Sequence, residues 1–325
     1  MRLTRHLKLP RKAVGALSVL CLVALLAPAA SAIAATHATV ASVMSTPAFD
    51  NSVFAKTYVT TGATDSIING DVLAGTYLTT GATADINGST VAAGATTLGA
   101  GANVSGNVRS GTATTLGAGA VAGSVNTGTA FTVGAGASPA AAGGTTTPSV
   151  SGEMQDVMAA QSFLSGLSPD VVIPPGNIAT GATYAPGVHQ VTGLLTYTAN
   201  TTITLNAGGD LDAEFIFNVS NYLTFGAGVD VVVVNGGPNV RVIWNAHGGY
   251  TSVGAGANIV GTIMANTYVS TGATSDVSGV DSNTCGGAVY SATSYVSIGA
   301  GATVGAGIGC NPPPPPTTTA APTTT

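Results

Sequence analysis

The phrase Thr-Gly-Ala-Thr occurs four times, at Thr61 to Thr64, Thr80 to Thr83, Thr180 to Thr183 and Thr271 to Thr274. Three copies sit in a longer line: Tyr58-Val59-Thr60-Thr61-Gly62-Ala63-Thr64, Tyr77-Leu78-Thr79-Thr80-Gly81-Ala82-Thr83 and Tyr268-Val269-Ser270-Thr271-Gly272-Ala273-Thr274. Tyr58 and Tyr77 lie 19 residues apart. Strand formers followed by small turn residues at a period near twenty predict a solenoid, in which each repeat buries its apolar face only by stacking on its neighbours. Short uncharged side chains on such a stack make a surface for binding and offer little for chemistry.

The repeats extend further. Thr96-Thr97-Leu98-Gly99-Ala100-Gly101-Ala102, Thr114-Thr115-Leu116-Gly117-Ala118-Gly119-Ala120 and Phe131-Thr132-Val133-Gly134-Ala135-Gly136 each pair an alternating strand with a Gly/Ala corner. Alternation sends one apolar side chain inward while threonine points out. Ser138 to Pro148 reads as a loop. A helix follows, with Ser151 as N-cap, Glu153 and Asp156 near the positive end of its dipole, and Val157, Ala160, Phe163, Leu164 and Leu167 in one apolar stripe up to Ser168-Pro169. Strands resume over 188–191, 201–205, 214–219, 231–234 and 240–244, with Val231 to Val234 read as a buried strand before the Asn235-Gly236 turn.

The termini read differently. Arg2, Arg5, Lys8, Arg11 and Lys12 precede an apolar run, Ala13 to Leu26, that is short for a membrane span, and Ala30-Ser31-Ala32 fits a cleavage site. A signal peptide over 1–32 is therefore expected, with export and a mature chain starting near Ile33. Only Lys56, Arg109 and Arg241 then remain against thirteen acidic residues, leaving a net charge of −10. Three scattered cations argue against binding nucleic acid or anionic lipid. Cys285 and Cys310 are expected to form one disulfide in an oxidising compartment, and nothing in the sequence calls for a metal or other cofactor. The organisation expected is repeat coils over 33–148, a helix over 149–169, a second solenoid segment over 170–310 and a Pro/Thr-rich tail over 311–325.

From Tyr184 to Gly307 an ordered series appears: Pro186-Gly187-Val188-His189, Leu205-Asn206-Ala207-Gly208-Gly209-Asp210, Ala213-Glu214-Phe215-Ile216-Phe217, Val232-Val233-Val234-Asn235-Gly236, Val242-Ile243-Trp244 and Gly261-Thr262-Ile263-Met264-Ala265. This series resembles the microbial ice-binding-protein-like family. The resemblance implies a mostly β fold: a right-handed, three-faced, irregular β-solenoid with one α-helix packed alongside. It also implies a secreted, non-catalytic protein that adsorbs to ice through a flat threonine-rich face. The candidate residues are Thr61, Thr64, Thr80, Thr83, Thr180, Thr183, Thr271 and Thr274.

Internal alignment qualifies that assignment. Tyr295-Val296-Ser297-Ile298-Gly299-Ala300-Gly301 places Ile298 opposite Thr271 and Gly301 opposite Thr274. The phrase thus doubles as a generic corner, and an adhesive or structural module on a cell envelope or glycan, without ice affinity, stands beside the ice reading. A polysaccharide-active enzyme is the remote alternative: Asp210, Asp212 and Glu214 would share one side of an extended segment and supply an acid and a base or a Ca²⁺ site. His189 and His247 read as structural. Trp244 is expected in the core or against the helix, and Arg241 on the opposite side of its strand.

Overall fold

A computed structural model describes residues 40, 42–145, 147–279 and 287–305. The solenoid belongs to one compact unit, Val43–Thr325. The signal peptide expected over 1–32, the expected disulfide of Cys285 and Cys310, and the Pro/Thr-rich tail lie outside the described residues.

Short strands recur three to a coil, and every pairing between coils is parallel. The coil Val53–Ala55, Val59–Thr61, Ile67–Ile68 stacks under Val72–Ala74, Leu78–Thr79, Asp85–Ile86, and so on. Three faces result, called first, second and third in chain order within a coil. The second face is an independent sheet of eleven strands, while the first and third merge into one sheet where Val121–Thr127 and Ser138–Ala142 run through the corner between them.

The order of coils in space differs from their order in the chain. The second-face strands run Gly176–Ile178, Leu195–Tyr197, Leu223–Phe225, Thr251–Val253, Val269–Thr271, Val296–Ile298, then Val59–Thr61, Leu78–Thr79, Thr96–Leu98, Thr114–Leu116 and Phe131–Val133. The N-terminal coils therefore extend the same solenoid by stacking on its last C-terminal coil. That seam is paired on all three faces, Val53 with Val289, Val59 with Val296 and Ile67 with Thr303.

Inward positions form continuous columns. Val59, Leu78, Leu98, Leu116, Leu195, Phe217, Phe225, Trp244, Ile263 and Val296 belong to one buried cluster running the length of the stack. Trp244 is fully buried, stacks on Phe217 at 4.2 Å and donates from Nε1 to the Val260 carbonyl, so its one polar group is satisfied. Arg241 instead points outward and pairs with Glu214 on the adjacent coil.

A second apolar layer lies outside the first face. Phe54, Leu73, Ile216, Ile243, Met264 and Tyr290 alternate with inward residues, yet all are buried. The helix α1, Ser151–Ser165, contacts the strands Glu214–Val219 and Arg241–Ala246 and the 3₁₀ turn Pro47–Asp50. Between helix and sheet runs a closed amide network. Asn245 Nδ2 donates to Asn218 Oδ1 and Gln161 Nε2 to Asn245 Oδ1, while Asn218 Nδ2 donates to the Leu164 carbonyl. These bonds orient the helix as apolar contacts alone would not.

Four expectations are corrected here. Ser151 is the first helical residue and not its cap; Val150 occupies that position without a side-chain bond. Gln161, serving the amide network, is buried with Val157, Ala160 and Leu164, whereas Phe163 and Leu167 are half-buried. Residues 138–142 form a strand and not a loop, since pairing with Val121–Thr127 asks for backbone and not for bulky side chains. Of Val231 to Val234 only Val231 is buried: Val232 and Val234 point out from the third face, which no described element covers, and inward-facing Val233 packs on the core but is only half-buried.

The corner between the second and third faces uses a left-handed residue in coil after coil. Asn200, Gly228, Gly256, Thr274, Gly301, Thr64, Thr83, Gly101, Gly119 and Gly136 have φ between 54° and 72°. Except for Gly136 in the last coil, their N–H groups bond to the next coil, as Thr83 does to Ala100 O and Gly101 to Ala118 O. Glycine and asparagine accept this conformation, whereas a β-branched threonine is strained by about 1–2 kcal/mol. Thr83→Gly and Thr274→Gly should therefore each raise stability by about 1 kcal/mol, less the extra unfolded-state entropy of glycine, read as a higher urea midpoint.

Burial lowers the His189 imidazole below its ordinary 6.5, although a hydrogen bond to Ala185 O and the Asp170 carboxylate oppose the shift. Its ring stacks on Phe217 at 4.7 Å, and Nδ1 has no hydrogen-bond partner among the described residues. Burial also lowers His247. Because the unfolded chain binds these protons first, the stability they contribute is complete above about pH 6.5 and is lost as pH falls through the folded value. Denaturant midpoints should drop as pH falls below about 6.5, and His189→Phe should flatten that drop.

Candidate functional site

The eight threonines do not share one exposed face. Thr61 and Thr271 end second-face strands and Thr80 directly follows one; all three point inward and are buried. Side-chain parity dictates this: in Tyr-Val-Thr-Thr the valine and the last threonine face the same way. Their column also contains Ile298, Val253, Leu98 and Leu116, as Thr61 pairing with Ile298 and Val253 with Thr271 make plain. The hydroxyls are used internally. Thr61 Oγ1 accepts from Gly81 N, Thr80 Oγ1 from Gly99 N and Thr271 Oγ1 from Gly299 N, each at 3.0 Å.

Thr64, Thr83 and Thr274 are the left-handed corner residues and are exposed. Thr64 and Thr274 donate to the preceding carbonyl, and Thr83 Oγ1 accepts from Asp65 N. The glycine between the two threonines is required by close approach. A Cβ at Gly81 would lie 2.1 Å from Gly62 O, and one at Gly299 2.3 Å from Gly272 O. The fourth copy is different: Thr180 lies in a corner of the coil farthest from the N-terminal repeats, and Thr183 is on the third face opposite Thr204.

The regular surface comes from residues one position earlier. The second residue of each second-face strand points outward, giving a column that runs Asn177, Thr196, Thr224, Ser252, Ser270, Ser297, Thr60, Thr79, Thr97, Thr115, Thr132. All eleven strands thus carry a hydroxyl or amide there. No charged side chain lies on these strands. The signal was present in Tyr-Val-Thr-Thr read with strict alternation.

A second column flanks the first. Tyr222, Tyr250, Tyr268, Tyr295, Tyr58 and Tyr77 stack in sequence at 4.7–5.2 Å with interplanar angles of 2–5°. Rings this nearly parallel mean that successive coils hardly rotate, so this face is flat, unlike an ordinary twisted sheet. The stack crosses the seam between Tyr295 and Tyr58 without a break. Desolvation, and after it the neighbouring phenols of Tyr250 and Tyr295, push the Tyr268 hydroxyl above its usual range.

The other faces lack this regularity. The first is covered by α1 at the strands Glu214–Val219 and Arg241–Ala246. The third presents Asp230, Asn258, Asp276, Thr303, Ile67, Asp85 and Asn103 in one column, mixing charge with apolar bulk.

The carboxylates considered for catalysis are not assembled into a site. Asp210 and Asp212 lie on an exposed turn, where Asp210 Oδ1 accepts from Asp212 N and Asp212 Oδ1 from Asn239 Nδ2. Glu214 is buried and paired with Arg241. Among the described residues no group of three or more His, Cys, Asp or Glu is placed to hold a metal ion. Nor is any described helix long and apolar enough to cross a membrane.

Comparisons with solved structures return ice-binding proteins. Ice-binding protein 1 of Shewanella frigidimarina is 19% identical, with 78% of this chain and 93% of that chain covered and a TM-score of 0.50. An ice-binding protein from the Antarctic ascomycete Antarctomyces psychrotrophicus is 16% identical over 79% and 94%, with a TM-score of 0.49. A glycosylated ice-binding protein from an Arctic yeast is 17% identical over 82% and 94%, also at 0.49. At this identity the likeness to the Shewanella protein is one of fold. No curated protein matches the sequence. The sequence model of the ice-binding-like family matches residues 122–303, more than half of the chain and all of the C-terminal coils, and this protein belongs to that family.

Proposed function

We propose that this protein is exported and adsorbs to ice, without catalysis, through the second face of its solenoid. The observation that carries the reading is the outward column of Asn, Thr and Ser, one on each of eleven parallel strands. Its members recur at about 4.7–4.9 Å, the spacing of paired strands. A threonine offers a hydroxyl that orders water and a methyl that restricts it, on a side chain stiff at χ1. Many weak contacts on one rigid surface then act together. The left-handed Thr64, Thr83 and Thr274 rim this face, and Thr61, Thr80 and Thr271 set its coil spacing from inside. Family membership and the absence of charge on the face support the same reading.

The tyrosine column favours a second reading. Six phenolic hydroxyls in line beside the threonines suit a solid glycan or cell-envelope surface. Ice stands first because the small-residue column spans every coil, whereas the tyrosines span only the central six.

The test uses protein beginning at Ile33. Thermal hysteresis and inhibition of ice recrystallisation are expected at micromolar concentration. Thr60→Tyr and Thr79→Tyr, which raise a bulky ring in the middle of the face, should remove most of both, whereas Asn103→Tyr on the third face should leave them intact. Equal loss from all three, or no activity in the unsubstituted protein, would count against ice and leave the glycan reading to be tried on insoluble polysaccharides.

A further inference from the structure

The seam between Thr303–Val304 and Val53–Ala55 shows what holds coils of this chain together. Among the described residues no covalent link passes directly from one seam coil to the other, yet strands pair across it on all three faces. The phenol of Tyr58 stacks on Tyr295, Ser66 Oγ donates to Gly299 O, and Gly62 N donates to Ile298 O. One coil end is therefore competent to dock on another by backbone pairing and column matching alone.

The solenoid has two more coil ends. One is the last coil in space, running through Val121–Thr127, Phe131–Val133 and Ser138–Ala142; the other is the first, Val171–Ile173, Gly176–Ile178 and Ala182–Tyr184. Apart from Val121–Thr127, whose outer edge Ser138–Ala142 covers, each of these strands is paired on one side only among the described residues. Inward-facing residues there are incompletely covered: Val133 is 46% exposed and Val171 44%, while their column neighbours Leu116 and His189 are buried.

Continuing the columns from one end onto the other matches large residues with small ones. Phe131 follows Thr114 in its column, and the first member of that column is Gly176, opposite Leu195. Ala142 follows Val125 and would meet Val171, and Pro139 follows Ala122 and would meet Ala182. Neither set of strands carries a charged residue, so no like-charge repulsion opposes their approach. Pro139 withholds one donor from the third face, which weakens pairing there and leaves the other two faces unaffected.

We propose that the first coil of one molecule docks on the last coil of a second copy, head to tail. The contact is heterologous: each copy uses one end as donor surface and keeps the other free. It would place Asn177 of the added copy next to Thr132, continuing the outward column from one molecule into the next. The proposal stands apart from the ice reading, since it concerns association in solution.

Sedimentation velocity on protein beginning at Ile33 tests it. The mass-average should rise with concentration in the micromolar range and include dimers. Val133→Asp blocks the last coil and Val171→Asp the first; both residues are already exposed, and circular dichroism checks that the fold persists. Each variant alone should be monomeric, and an equimolar mixture should give a one-to-one dimer and nothing larger. Should Val133→Asp not fold, Ala142→Asp, in an exposed strand of the same coil, takes its place. A wild-type protein that remains monomeric throughout, or a single variant that still dimerises, would overturn the head-to-tail arrangement.

Discussion

Everything in this fold depends on parallel backbone pairing between one coil and the next. A strand in a stack is held at about 4.8 Å from its neighbour, which leaves no freedom to place a residue independently of those above and below it. Each position around the coil becomes a column, and each column must be filled by side chains that tolerate one another at that distance. Branched aliphatics and aromatics satisfy the inner columns. Glycine satisfies the position after the second-face strand, where a Cβ at Gly81 or Gly299 would strike the carbonyl of the adjacent coil. Left-handed residues satisfy the corner that follows.

This constraint explains why the most conspicuous repeat is not itself the exposed surface. Thr-Gly-Ala-Thr spans an inward position, a close-approach position and a left-handed corner, and each of its residues is chosen by coil geometry. The inward threonine is a substitute for isoleucine or leucine that spends its hydroxyl on a backbone N–H. The residues that face solvent in register, such as Thr60, Thr79 and Ser270, attract less notice because serine, threonine and asparagine interchange there freely.

The solenoid, its helix and its family were legible in the sequence, because alternation, small-residue corners and an ordered motif series are local signals. Ile298 opposite Thr271, and Gly301 opposite Thr274, were also available from internal alignment. The burial of Thr61 could have been read from parity in Tyr58-Val59-Thr60-Thr61. Other features had no local signal. The stacking of Val53 on Val289 joins residues more than two hundred positions apart, and short uncharged strands carry no mark of which partner they take. Gln161 entered the buried face of the helix because Asn245 and Asn218 awaited it, which no helical periodicity encodes. The trio Asp210, Asp212 and Glu214 came apart because a turn, and not an extended strand, separates the first two from the third.

The seam also inverts the relation between synthesis and assembly. Coils that the chain produces first, from Val53 onward, lie at the far end of the stack, and the coil that underlies them, ending at Val304, is completed last. Until then the lower edge of the Val53 coil has no template, although its own upper neighbours are ready. Closure is thus a long-range event, costly in chain entropy and slow relative to local stacking. A rearranged chain that opened in the 143–150 connection and joined residue 305 to the segment before Val53 would read its coils in spatial order, trading that late closure for stepwise growth from a single end.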